Sequence, residues 1–160
     1  MPKKVLIGLD ASDNARRAVM YVGEVFGQDP DAEVTLFHVL PGLPPVFLEH
    51  GRIPTPEERQ TRNQMITDWK NEQEQTWRDI FKEAQKVLLH HGFKPEAIKT
   101  KSVPQHLDIA QEILDEAEIG GYSTVVLGRR GLSPIKRLLL GSVSQKVTEY
   151  GKKFSVIVVD

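Results

Sequence analysis

The feature that most constrains the fold is a series of five short apolar runs in which β-branched residues are frequent. The runs are Val5–Leu9, Val34–Leu40, Ala97–Val103, Thr124–Leu127 and Ser155–Val159. Most of them are continuous rather than alternating, which is typical of strands buried on both faces of a sheet. The third run alternates apolar and polar residues, and this predicts an edge strand with one solvent-facing side.

Segments with helical periodicity lie between these runs. Two sets of apolar residues recur at helical spacing: Ala15, Val19, Val22 and Phe26, and then Ile109, Ile113, Leu114 and Ala117. Strands that alternate with helices predict βαβ units, and therefore an α/β fold with a parallel sheet and right-handed crossovers. The 160 residues suit one domain over 1–160.

The second crossover is the longest. Residues 41–56 contain five prolines and two glycines and are predicted to form a loop. Thr55 as N-cap, Pro56 at the first helical position and Glu58 at the third predict a capping box. The polar helix that follows is expected to end near Gly92, and its tryptophans are expected to pack against the core or a dimer partner.

Glycine, serine and basic residues are concentrated after the fourth run, in the segment GRRGLSPIKRLLLGSVS from Gly128 to Ser144. Gly128 and Gly131 stand where the strand should end, and Gly141 and Ser142 precede a predicted short helix over Gln145–Tyr150. Bound phosphates need converging backbone N–H groups, no obstructing Cβ atoms and positive potential. A glycine turn and a helix start supply these together.

Each part of that segment also has a purely structural interpretation. The first glycine pair suits an ordinary turn, Gly141-Ser142 suits a plain N-cap, and the intervening basic residues suit a solvated face. The joint pattern G-x2-G-x9-G-S, placed after a buried strand and before a helix, favours phosphate or nucleotide binding.

Asp10 lies where the first strand ends. Ligands of open α/β sheets bind beyond the carboxyl ends of the strands, where the strand order reverses. If the first and fourth strands are neighbours there, Asp10 faces the predicted turn at Gly128. Its carboxylate could then accept hydrogen bonds from ribose hydroxyls or help to hold a cation carried by the phosphates. The alternative is that Asp10 caps the first helix, although Ser12 or Asp13 is expected to do so.

The remaining composition excludes several classes of function. The chain has no cysteine, which excludes disulfides and thiolate metal sites and favours a cytoplasmic location. A net charge of -1 gives no global field for nucleic acid. No apolar run approaches the roughly 20 residues of a membrane span, and Asp10 ends the first run too early for a signal peptide. No metal-ligand spacing occurs, and His38 is predicted to be a core histidine with its hydrogen bonds satisfied.

Across the whole length, the sequence resembles the universal stress protein family, on its ATP-binding branch. The residues that carry the resemblance are VLIGLDASDNARRAV, VTLFHVL, DIAQEILDEAEIGGYSTVVLGRRG, the glycine motif GRRGLSPIKRLLLGSVS and FSVIVV. The resemblance implies an open five-stranded parallel sheet in the order 3-2-1-4-5 with helices on both faces. It also implies a homodimer formed by antiparallel pairing of the final strands, Phe154 to Val159, which would cover an otherwise exposed apolar edge.

The resemblance further implies ATP as the ligand, with Mg²⁺ or Mn²⁺ carried by its phosphates. The implied nucleotide-binding residues are Asp10, Ala11, Val39, Leu40, Leu127, Gly128, Arg130, Gly131, Gly141, Ser142, Val143 and Ser144. The backbone around Val39 and Leu40 would contact the adenine, and Val103 would border it. The loop and helix between residues 41 and 92 look longer and more polar than the family core needs.

Three functions are compatible with these observations. The first is an ATP-binding regulator in the stress response, acting on an unidentified protein partner or on its own assembly. The second is a slow ATP hydrolase or nucleotidyl-transfer enzyme, but the sequence has no G-x4-G-K-[ST] motif and no general base placed by a motif. The third is a protein-interaction module that no longer binds nucleotide, against which the intact glycine pattern argues.

Overall fold

A computed structural model describes residues 3–10, 12–48, 51–106, 108–129 and 142–160. Its centre is a parallel sheet of five strands in the order β3-β2-β1-β4-β5. The strands are β1 (Lys3–Gly8), β2 (Ala32–Leu40), β3 (Ile98–Pro104), β4 (Thr124–Gly128) and β5 (Ser155–Val159). The predicted fold class and strand order are confirmed.

The described helices are α1 (Asp13–Phe26), α2 (Pro56–His90), α3 (Ile109–Ile119) and α4 (Ser142–Tyr150), with single 3-10 turns at Pro45–Phe47 and Pro95–Ala97. The predicted start of the last helix at Gln145 was wrong by three residues. Ser144 and Val147 are the buried residues of α4. Because residues three apart share a helix face, Ser144 and Val147 lie on the same buried face of α4.

The core consists of two hydrophobic clusters, one on each face of the sheet. Val5 and Ile7 of β1 pack with residues of α1 and α2, whereas Leu6 packs with residues of α3 and with Val147 of α4. Successive side chains of a strand point to opposite faces, so a continuous apolar run supplies both clusters. Each fully buried aliphatic side chain contributes roughly 1.5–3 kcal/mol.

The strand order reverses at β1. Its neighbour on one side is β2, which leads outward to β3, and its neighbour on the other side is β4, which leads outward to β5. In register, Gly8 lies beside Phe37 of β2 and beside Leu127 of β4. The connections leave β1 in opposite directions, and a crevice opens between them at the carboxyl ends of these strands.

Helix α2 has 35 residues and is therefore about 52 Å long. Both hydrogen bonds of the predicted capping box at Thr55 and Glu58 are present. Gly92, with φ of 109°, adopts the positive backbone angle expected just after a helix end. The buried residues of α2 all lie in its carboxyl-terminal half: Trp77, Ala84 and Leu88. The amino-terminal half therefore extends along the surface.

The edge position of β3 was predicted correctly, but its residues are more exposed to solvent than expected. All of its central residues, from Lys99 to Ser102, are exposed, and only Ile98 and Val103 are half-buried. Both faces of β3 therefore reach solvent. Among the described helices, none combines the length and the apolar character needed to cross a membrane.

Candidate functional site

A cavity of about 290 Å³ opens at the carboxyl ends of β1, β2 and β4, at the reversal of strand order. Its lining residues come from both faces of the sheet: Gly8, Leu9, Asp10, Ala15, Phe37, His38, Val39, Pro41, Gln73, Trp77, Ile109, Ile113, Leu127, Gly128, Val143 and Ser144. The lining is mostly apolar with few polar side chains, which is the usual character of a small-molecule site.

The structure brings part of the predicted nucleotide site together around this cavity. Six predicted residues line it: Asp10, Val39, Leu127, Gly128, Val143 and Ser144. Three others lie outside its lining, namely Leu40, Val103 and Ser142. The remaining four, Ala11, Arg130, Gly131 and Gly141, lie outside the described residues.

The carboxylate of Asp10 is held at the start of α1. Its Oδ1 accepts hydrogen bonds from the backbone N–H of Ser12, at 2.9 Å, and from the Ser12 hydroxyl. Ser12 is the N-cap of α1 and accepts from the N–H of Ala15. The predicted cap at Ser12 is therefore present, and Asp10 is oriented by it at the wall of the cavity.

Gly128 permits β4 to approach the first turn of α1. A Cβ atom at this position would lie 2.5 Å from the carbonyl carbon and oxygen of Asn14 and 2.8 Å from the nitrogen of Ala15. Gly128 is not among the glycines with positive φ. The described geometry thus gives this glycine a packing reason, and it keeps the cavity wall free of a side chain.

Helix α4 is joined to the end of β4 by a side-chain hydrogen bond. The hydroxyl of Ser144 donates to the carbonyl oxygen of Gly128 at 3.3 Å, and Ser144 is only 3% exposed. Ser142, two residues earlier, is exposed. The first turn of α4 therefore stands beside the cavity, where unpaired N–H groups and the helix dipole favour an anion.

The opposite wall of the cavity contains two stacked aromatic rings. The rings of His38, from β2, and Trp77, from α2, have centroids 3.2 Å apart and an interplanar angle of 16°. Burial lowers the pKa of His38 to about 4, while a backbone hydrogen bond with Leu9 and the charge of Asp10 act in the opposite direction. His38 is therefore neutral at physiological pH.

The prediction of a core histidine was correct in location and wrong in hydrogen bonding. His38 is 6% exposed, but its Nε2 has no hydrogen-bond partner among the described residues. Hydrogen bonding was inferred from the general rule that buried polar groups are paired. His38 is an exception to this rule among the described residues.

Sequence reasoning missed the contributions of α2 and α3 to the cavity. Gln73 and Trp77 reach it from α2, and Ile109 and Ile113 from α3. The helical spacing of the two isoleucines was visible, and the position of α3 just after a strand end could have placed them at the site. No local signal marks Trp77, because its placement depends on the packing of the whole of α2.

A second groove, of about 600 Å³, continues from the cavity between α2 and the ends of β2 and β3. The two spaces share Pro41, Gln73 and Trp77. Leu40 lines this groove rather than the cavity. Leu40 also accepts a backbone hydrogen bond from Gln105, which fixes the end of β2 against the end of β3.

The described side chains at the cavity suit binding. They provide one carboxylate, one neutral imidazole, one amide and one buried hydroxyl among apolar walls, and the start of α4 lies beside them. Among the described residues, no group of three or more His, Asp or Glu side chains is arranged to hold a metal ion. A cation would therefore need ligands from a bound molecule in addition to Asp10.

Known proteins match the chain over almost its full length. The model of the universal stress protein family matches residues 1–160. Universal stress protein YxiE of Bacillus subtilis is 30% identical over 152 residues, which are 93% of each chain.

Solved structures agree with these matches. MJ0577, a universal stress protein of Methanocaldococcus jannaschii, has a structure with a TM-score of 0.70 and 26% identity, over 99% of this chain and 96% of that one. A universal stress protein solved in complex with cAMP shares the fold, with a TM-score of 0.63 and 22% identity over 99% and 96% of the two chains. The matched family model, the relatives and the fold agree, and the chain belongs to the universal stress protein family.

Proposed function

We propose that this protein binds an adenine nucleotide, ATP, and acts as a nucleotide-dependent regulatory module in the stress response. The observation that carries the proposal is the cavity at the strand-order reversal, lined by Asp10, Gly128, Val143 and Ser144. Carboxyl ends of parallel strands at such a reversal are the usual ligand site of open α/β sheets. The size and largely apolar lining suit a purine with few polar contacts.

The order of the strands suggests the direction in which the nucleotide lies. Phosphates fit at the end of β4 and the start of α4, where the dipole of α4 favours negative charge. The ribose then lies over β1 near Asp10, and the base over β2 near Val39. Two strand spacings, roughly 10 Å, separate β4 from β2.

A divalent cation, Mg²⁺ or Mn²⁺, fits this arrangement as a companion of the phosphates. Such cations prefer oxygen ligands and are held by one or two carboxylates together with substrate phosphates. Asp10 is the carboxylate at the cavity wall. The solved family member in complex with cAMP supports an adenine nucleotide as the ligand class.

Calorimetric titration of nucleotide-stripped protein with ATP tests the proposal. We expect saturable binding, and we expect Gly131→Val and Gly141→Val to abolish it while the chain stays folded, because the added side chains would occupy phosphate space. Gly42→Val is the matched control, since a Cβ at Gly42 meets nothing within 4 Å. Absence of binding at millimolar ATP would refute the proposal.

Asp10→Asn tests the cation. The amide oxygen can still accept the hydrogen bond from Ser12, but the charge that attracts a cation is lost. We expect the wild type to bind ATP more tightly with Mg²⁺ than without it, and the variant to show little difference. The same samples, incubated for hours and assayed for ADP and AMP, separate binding from catalysis. Steady turnover of ATP that Asp10→Ala abolishes would favour the alternative function, a slow ATP hydrolase or nucleotidyl-transfer enzyme.

The proposal includes a homodimer that pairs through β5. This strand is an edge of the sheet, and an apolar edge favours pairing with another chain. On the inner side, Ser155 donates to Ser123 and Val159 accepts from Arg129. By the alternation of a parallel ladder, the N–H groups of Val156 and Val158 point outward.

Proline substitutions separate the dimer contact from the sheet itself. Val158→Pro removes an outward N–H and leaves the ladder to β4 intact, so we expect a folded monomer. Ile157→Pro, one residue earlier, removes an inward N–H and should destabilise the sheet as well. Light scattering coupled to size exclusion measures the mass, and a Val158→Pro protein that remains dimeric would exclude pairing through β5.

A further inference from the structure

A groove of about 370 Å³ lies between α1 and α2, on the face of the sheet that both helices cover. It shares Leu9, Asp10 and Ala15 with the strand-end cavity. Beyond these residues, its lining comes from the N-cap and first two turns of α1 and from the carboxyl-terminal half of α2. The groove therefore leads away from the strand ends and along the two helices.

The floor of the groove is apolar, because each helix turns a row of apolar side chains toward the other. Ala15 and Val19 lie four residues apart on α1, and both are buried. Ile80, Ala84 and Val87 follow at helical spacing on α2 and pack in the same core cluster. Two of these five side chains are alanines, whose small size leaves room between the helices. An apolar depression of this kind can receive the apolar face of another helix.

Acidic side chains form the rim of the groove. Asp13 lies in the first turn of α1, and Asp79 and Glu83 lie four residues apart on α2, so both helices contribute. All three are exposed. With Asp10, the described lining contains four carboxylates and one cation, Arg16. The groove therefore combines an apolar floor with an excess of negative charge.

The described residues compensate this charge only in part. Glu83 pairs with Lys86 at 3.4 Å, but both side chains are exposed, and such a pair contributes little. Asp79 accepts a hydrogen bond from the uncharged Gln75 at 3.0 Å. Like charges four residues apart, as at Asp79 and Glu83, destabilise a helix. A cationic partner beside the rim would relieve this repulsion.

The combination of floor and rim restricts the occupant. Nucleotide phosphates are anionic, so the acidic rim disfavours an extension of the nucleotide into the groove. A second copy that docked through the same face would bring two acidic rims together. A small cation would leave the apolar floor uncovered. A helix with one apolar face and flanking Lys or Arg side chains matches both features.

We infer that the groove between α1 and α2 docks a basic amphipathic helix of a protein partner. The apolar side chains of this helix cover the floor, and its Lys or Arg side chains pair with Asp13, Asp79 and Glu83. The charges also steer the partner toward the groove before contact. The inference goes beyond the proposed nucleotide site, and its tests use the protein without nucleotide.

Fluorescence anisotropy with synthetic peptides tests the chemistry of the partner. The probe is a peptide of about 18 residues, longer than isolated helices of marginal stability, with leucine at the apolar helical positions and lysine at the others. One control peptide has glutamate in place of lysine, and another has serine in place of leucine. We expect both controls to bind at least about tenfold more weakly, because one meets like charge and the other buries little apolar surface. Equal binding of the serine–lysine peptide would reduce the groove to unspecific charge attraction and overturn the inference.

Paired variants locate the charges that matter. Asp13→Asn with Asp79→Asn removes two charges of the rim, whereas Glu96→Gln with Glu149→Gln removes two exposed carboxylates outside the groove. We expect the first pair to weaken the leucine–lysine peptide about fivefold, as for two exposed ion pairs, and the second pair to leave its affinity nearly unchanged. Equal weakening by both pairs would assign the attraction to net charge alone and overturn the inference.

Amide spectra of the unmodified protein locate the bound peptide. We expect the leucine–lysine peptide to shift the resonances of residues 12–19 and 79–87. The resonances of α3 and α4 should stay in place, because these helices cover the opposite face of the sheet. Shifts confined to other parts of the chain would overturn the inference, even if a rim variant failed to fold.

Discussion

The two ends of the cavity are built in different ways. The β4–α4 end consists of Gly128, Val143 and Ser144, which belong to one short stretch of the sequence, and it offers mainly backbone groups and a helix start. The β2–α2 end consists of Val39, His38 and Trp77, which come from two elements far apart in the chain. It offers side chains that also belong to the core of the protein.

This difference indicates which end can change without loss of the fold. At the β2–α2 end, recognition and stability share the same buried atoms, so a substitution affects both. At the β4–α4 end, the anion-favouring groups belong to the backbone, and most side-chain substitutions there should affect binding more than folding. Gly128 is the exception, because its missing side chain is what lets β4 approach α1.

The largest effect on stability is expected for Trp77→Ala. The indole is 7% exposed and contacts His38 and Phe81, so its removal should lower the free energy of unfolding by about 4 kcal/mol. Trp69→Ala is the matched control, because Trp69 is half-buried and contacts Phe47. Trp69→Ala should lower the free energy of unfolding by about 1 kcal/mol. Equal losses in urea denaturation would show that both halves of α2 are anchored alike.

Gly128→Val should rank next, at about 3 kcal/mol, because the new side chain meets the backbone of Asn14 rather than a movable side chain. Gly42→Val is the control and should change the free energy of unfolding by less than about 0.5 kcal/mol. Thermal and urea unfolding measure both. A Gly128→Val protein of unchanged stability that no longer binds ATP would assign this glycine to the ligand rather than to packing.

Stability should fall as the pH falls from about 6.5 to about 4. The pKa of His38 is lowered from 6.5 to about 4 in the folded protein, so in this window the unfolded chain binds the additional proton and gains from acidification. The loss should reach about 3 kcal/mol when the pH is below the folded pKa. Urea midpoints across this pH range measure it, with His38→Phe as the control. An identical pH dependence in that variant would assign the loss to other groups.

Ser144→Ala should have the smallest effect, about 1 kcal/mol, because it removes the hydrogen bond from Ser144 to the carbonyl of Gly128. Ser142→Ala, in the same turn, has an exposed side chain and should leave the free energy of unfolding nearly unchanged. Urea denaturation of the two variants compares them directly. A larger loss from Ser142→Ala would place the anchoring of α4 at its first residue.

Much of the fold could be predicted because its signals are local. Five apolar runs, the helical spacing between them and the capping box at Thr55 each depend on a few neighbouring residues, and all of them match elements of the structure. The start of α4 was predicted too late. Serine is a common N-cap residue, so Ser142 and Ser144 were interpreted as residues that precede the helix rather than as part of it. The solvent exposure of β3 was underestimated. Alternating apolar and polar residues predict one buried face, but the sequence does not show whether another element covers that face.

The candidate site could be predicted in part for the same reason. Asp10 follows the end of β1, Gly128 is the last residue of β4, and Val143 and Ser144 lie in the first turn of α4. A rule about strand ends therefore placed them at one edge of the sheet. Leu40 was placed by resemblance, and in the structure it lines the adjoining groove. His38 was predicted to have its hydrogen bonds satisfied, because the sequence does not reveal which groups surround its ring nitrogens.

The sequence by itself determined the parallel α/β architecture, the order of its elements and the glycine and serine segment beside the fourth strand, because periodicity, turns and caps are short-range properties of a chain. Only the tertiary structure decided that Trp77 of α2 stacks on His38 of β2 and that a side chain at position 128 would meet the backbone of α1. These contacts join residues distant in sequence, and close packing, which no local pattern records, selects them.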